Sequence, residues 1–149
     1  MPFGYKLNIS ECIILKTFIN SNGETVNRYI WSDSDGTEHD FYLGSSATSC
    51  TDDDGLLNLI TIQSDGNITI TNDNKVKKTF TKRATNPASA VSGCWYLTKI
   101  EDVVGNAVVF TFEGADPTKP TKVSIKPYGG GSIDMLELKY YSSGKLMMI

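Results

Sequence analysis

Asp65-Gly66-Asn67-Ile68-Thr69-Ile70-Thr71 decides the fold class of this chain. Isoleucine takes every second place, with Asn or Thr between. Strand side chains alternate between faces, so such a run lays one apolar face on a core and one polar face in water. Asp65-Gly66, just before it, supplies residue types that tolerate the backbone of a tight hairpin turn. The same pattern recurs on both sides. Tyr5, Leu7 and Ile9 alternate with Lys6, Asn8 and Ser10; Val123 and Ile125 alternate with Lys122, Ser124 and Lys126; Leu136, Leu138 and Tyr140 alternate with Glu137 and Lys139. Asn22-Gly23, Asp35-Gly36, Gly129-Gly130-Gly131 and Ser143-Gly144 mark further turns.

These signals place strands at 5–10, 12–19, 25–31, 37–43, 56–63, 67–72, 75–81, 94–101, 106–112, 121–127, 132–141 and 145–149. The expectation is an all-β chain: an antiparallel β-sandwich or barrel of about 10–12 short strands joined by hairpins. The apolar run Cys12-Ile13-Ile14-Leu15 suits a buried strand or a short helix equally. Gly44–Asp54 and Thr81–Ser92 read as the longest loops, the second as an extended crossover because Pro87 disfavours helix at Asn86.

Composition agrees. Ile, Val, Thr, Tyr, Phe and Trp together number 51 of 149 residues, against 29 for Ala, Leu, Glu, Gln, Met and Arg, which argues against a helical bundle. The length suits one domain over 1–149, with 82–92 as the place where it would divide. No apolar run reaches the roughly 18 residues of a membrane-spanning helix, and no signal-peptide pattern opens the chain. Cys12, Cys50 and Cys94 are too widely spaced for a zinc site and read as reduced, buried thiols. The formal charge of -3 is unevenly spread: residues 1–65 carry -7 and residues 66–149 carry +4, which suits head-to-tail contact with copies of the same chain or a larger assembly if the halves form different faces, and averages out if they interleave in one sandwich.

Few residues carry chemistry. Asp33, Asp35 and Asp40 surround a turn and are the metal-ligand candidates, but the loop lacks the spacing of a calcium loop, and no cofactor is expected. Asp52-Asp53-Asp54 reads as a solvated loop. His39, the single histidine, lies between Glu38 and Asp40 on what reads as an exposed edge segment. No nucleophile-elbow, dinucleotide, P-loop or zinc-protease motif occurs, so no enzyme is expected. The basic cluster Lys75–Arg83 reads as an edge strand guarded by lysines, not as a nucleic-acid site, since Phe80 falls on its inward face.

Gly93-Cys94-Trp95 resembles the first-strand signature of lipocalin-like barrels, in which the Trp closes one barrel end. It departs from that family in position, because only 57 residues run from Gly93 to Ile149, too few for eight strands.

Two functional expectations follow. The first is a non-enzymatic structural protein of a large assembly, a bacteriophage virion component such as a capsid decoration, head–tail joining or tail protein, found in the virion or in the host cytoplasm during assembly. Ser, Thr and Asn number 39, and the apolar stretch Leu146-Met147-Met148-Ile149, with Tyr140 and Tyr141, is the interaction candidate, its partners being further copies and neighbouring subunits. The second is a lipocalin-like or carbohydrate-binding module with a small-molecule ligand, held in an apolar cavity or on a platform of Tyr140, Tyr141 and Trp31.

Overall fold

The computed structural model describes residues 11–52, 57–84, 86, 90–112, 120–140 and 146–147, which contain strands and no helix. The strands are β1 Cys12–Ile19, β2 Thr25–Ser32, β3 Glu38–Gly44, β4 Ser49–Thr51, β5 Leu59–Ile62, β6 Ile68–Thr71, β7 Lys77–Lys82, β8 Gly93–Glu101, β9 Ala107–Phe112, β10 Pro120–Lys126, β11 Ile133–Glu137, β12 Lys139–Tyr140 and β13 Leu146–Met147. The expected 5–10 strand lies outside the described residues. The Cys12–Leu15 run resolves as strand.

All pairings among these strands are antiparallel. β1 to β8 run round a barrel, each paired with the next except β3 with β4, and β8 returns to pair with β1. The ladder is missing only between β3 and β4, so the sheet is nearly closed.

β8 is where the sheet divides. One of its edges pairs with β7; the other is shared, with β1 against Gly93–Tyr96 and β9 against Lys99–Glu101. β9, β10 and β11 therefore leave the barrel as a three-stranded wing. β12 and β13 form a separate two-stranded sheet.

Register builds the core. Ile62, Ile68, Phe80 and Leu97 align across β5 to β8, as do Ile60, Ile70, Lys78 and Ile100. Ile13, Trp31 and His39 align across β1 to β3. Phe41, Phe80, Ile13, Ile60, Ile68 and Leu97 have 0% exposure. A void large enough for water would leave accessible surface on the side chains lining it, so the barrel centre around these six is solid. Eight strands enclose about the width that side chains fill.

Five hairpins turn in one way. In the turns starting at Asn20, Asp33, Gln63, Asn72 and Asp102, the first residue's N–H donates to the fifth residue's carbonyl, and the fourth residue's N–H donates back to the first's. The fourth residue has positive φ: Gly23, Gly36, Gly66, Gly105 and, without glycine's freedom, Lys75 at 64°. This is the type I turn with a left-handed residue that matches strand twist. Asn20, Asp33, Asn72 and Asp102 add a side-chain oxygen that accepts N–H groups two and four residues on.

Several expectations are corrected. Gly44–Asp54 is not one long loop, since β4 lies within it and pairs with β5. Thr81–Ser92 is no crossover, because β7 and β8 are neighbouring antiparallel strands. β7 is not an edge: β6 and β8 flank it. The 132–141 strand breaks at Leu138, which is buried and whose N–H bonds to Thr121. Among the described residues no helix is long and apolar enough to cross a membrane.

Candidate functional site

The acidic turn is structural. Asp33 Oδ1 accepts the Asp35 and Thr37 N–H groups at 2.9 and 3.0 Å, and its Oδ2 accepts from His39 Nε2 at 2.8 Å. Burial works to raise the pKa of Asp33, but the hydrogen bonds from His39, Thr37 and Asp35 outweigh it and hold the carboxyl below its ordinary value. Asp40 points elsewhere, 3.0 Å from Arg28 Nη2. Asp33, Asp35 and Asp40 are therefore not brought together as ligands, and no cluster suited to a metal occurs among the described residues.

His39 is not exposed. β3 places it in the inward row, where it is 5% accessible and stacks on Trp31 with centroids 4.5 Å apart. Its Nδ1 lies 3.9 Å from Asp52 Oδ2. Asp52, read from sequence as part of a solvated loop, is buried, and Asn58 Nδ2 donates to its Oδ2 at 2.7 Å. Nearby, Glu11 is also buried and accepts from Trp31 Nε1 and from Lys78 Nζ, each at 3.0 Å. Lys78 thus serves the barrel interior and not a protected edge. Trp31, now buried, is unavailable to any sugar-binding platform. Buried charges persist when paired in this way, and the network holds the β2–β3 turn, β1, β7 and the end of β4 together.

Trp95 caps the other end of β5, where its Nε1 donates to the Gly66 carbonyl at 2.8 Å. A Cβ on Gly93 would stand 2.8 Å from Trp95 Cη2, so only glycine lets the indole fold back here. Lys82 Nζ sits 5.7 Å above the ring. Trp95 belongs to the hydrophobic core, 3% exposed, and Gly93-x-Trp95 lies on the eighth strand of the barrel and not the first. The position that seemed too late for a barrel is resolved because seven strands precede it.

Cys12, Cys50 and Cys94 are free, and burial pushes the pKa of each upward.

The wing is different. All five residues of β11 are exposed. Ile125 pairs with Ile133 and Val123 with Leu136, the extra residue Met135 forming a bulge. Phe110 and Val108 of β9 pair with Val123 and Ile125, so one apolar face runs outward from the core. Exposure climbs along it, from Phe110 at 7% to Ile133 at 55%. On the opposite face Lys122 Nζ lies 3.0 Å from Asp134 Oδ2, and Ser124 Oγ donates to Asp134 Oδ1 at 2.9 Å. At the wing's end Tyr128, 78% exposed, rests on Gly105, where a Cβ would stand 2.9 Å from its ring. Val103 and Val104 lie exposed in the adjoining turn.

No protein-family model and no curated protein matches this chain.

The interaction candidates at the C-terminal end fare unevenly. Tyr140 and Leu146 pair across β12 and β13, as do Lys139 and Met147, while Tyr141, Met148 and Ile149 lie outside the described residues. Sequence reading passed over β11 as a surface because alternation there looks like that of any half-buried strand. The missing information was that nothing described packs on its apolar face.

Proposed function

We propose that the protein is a non-enzymatic assembly module that binds neighbouring subunits through the wing. The observation that carries this reading is β11, exposed throughout and lacking a ladder on its outer edge among the described residues. Unpaired strand edges and contiguous exposed apolar surface are ready sites for another chain. The finer reading, a bacteriophage virion component, is supported by composition alone: 39 Ser, Thr and Asn residues in a chain of short hairpins. The solid barrel centre supports an assembly role over a ligand-carrying barrel.

Sedimentation velocity of the purified chain with phage particles, or with the structural subunits made from them, tests this. The wild-type chain is expected to co-sediment, and Ile133→Lys with Leu136→Lys to remain free while keeping its far-ultraviolet dichroism. A chain that docks on no assembly, or a double variant that docks as well as wild type, would overturn it.

A further inference from the structure

β10 shows what kind of strand β11 accepts. It alternates Lys122, Ser124 and Lys126 with Val123 and Ile125. Its polar row meets Asp134 and Glu137, and its apolar row meets Ile133 and Leu136. Side chains stand on the faces of a sheet and are shared by the strands on both sides, so the outer edge of β11 offers the same two rows to a further strand. Asp134, although paired with Lys122, keeps 51% of its side chain accessible.

We propose that the outer edge of β11 docks one extended strand of a partner protein in which Lys or Arg alternates with aliphatic residues. This rests on the assembly reading above and names the chemistry of the partner. Main-chain N–H and C=O groups of β11 extend the ladder; basic side chains of the guest join Asp134 and Glu137; its aliphatic side chains cover Ile133 and Leu136. Charge argues against the β11 or β3 of a second copy as the occupant. Its β11 would bring Asp134 and Glu137 against the same residues, and its β3, unladdered on the side of β4, carries Glu38 and Asp40. Like charges opposed across a sheet destabilise the pairing.

The test uses the full chain and a fluorescein-labelled peptide, Thr-Lys-Val-Ser-Ile-Lys-Pro, the sequence of residues 121–127. Anisotropy is expected to show saturable binding that weakens with added salt. Asp134→Lys, Glu137→Lys and Ile133→Lys are each expected to lower the affinity at least about tenfold, as is replacing both peptide lysines by Glu. Glu24→Lys, in the distant β1–β2 turn, is expected to leave it unchanged. Amide shift changes in the wild-type protein are expected at β11, a readout independent of how any variant folds. Equal binding of both peptides, shifts elsewhere, or a wild-type dimer that Asp134→Lys dissociates would overturn the proposal. If peptide selectivity fails while the wing variants still abolish co-sedimentation, the strand chemistry is wrong and the assembly role stands; if those variants change neither, both fall.

Discussion

Barrel and wing are made of the same parts. Both alternate apolar and polar residues, and both turn through the same five-residue hairpin, at Asp33 in the barrel and at Asp102 where the wing begins. Yet Phe80 is fully buried and Ile133 is 55% exposed. The difference is closure. In the barrel each apolar row faces others across the interior, while in the wing Phe110, Val108 and Val123 still reach the core and β11 is exposed throughout. Alternation states that a face can be buried; only a second layer buries it.

The sharpest way to break this contrast is to cut both regions alike. Phe80→Ala, in the solid centre, is expected to cost about 3–5 kcal/mol in urea unfolding. Ile133→Ala is expected to stay within about 0.5 kcal/mol. Equal losses would mean that the wing is packed as the barrel is.

Lys78→Met comes next. It leaves the buried Glu11 carboxylate without its ammonium partner, and an expected loss of about 3 kcal/mol by urea unfolding would show that the barrel interior depends on that pair. Lys122→Met, cutting the wing's own ion pair with Asp134, is expected to leave the urea midpoint nearly unchanged, because solvent screens that pair. Gly93→Ala drives a methyl into the Trp95 ring and should cost about 1–3 kcal/mol, with a changed near-ultraviolet signal from that ring.

Smaller effects belong to the shared turn. Lys75 adopts the positive φ that glycine takes in the other four, so Lys75→Gly is expected to raise stability by up to about 1 kcal/mol, measured by thermal unfolding. Asp33 supplies the pH test. Its folded pKa lies below the unfolded value near 3.8, so its stabilisation is present above that value and is lost as pH falls through the lower folded pKa. Asp33→Asn is expected to flatten this acid limb in a pH series of unfolding free energies, whereas wild type retains it.

Much of the fold was legible. Alternation and Gly-bearing turns depend on neighbours in sequence, which is why the strand positions of β1, β2, β3 and β6 emerged nearly as found. The candidate site was legible only in part. His39 and Asp52 look solvated because acidic neighbours surround them in sequence, but both are buried, His39 against Trp31 and Asp52 beside His39. Lys78 sits in a basic run, and only the opposed strands bring Glu11 within 3.0 Å of it.

By itself, then, the sequence determined that this chain forms antiparallel hairpins with one apolar side, because backbone pleat and turn geometry are local. The tertiary structure decided which of those sides are covered. Near-closure of the ring, the division of β8 between β1 and β9, and the edge of β11 that carries no ladder among the described residues depend on pairings between residues far apart in the chain, and those pairings are chosen by packing that no short stretch of sequence contains.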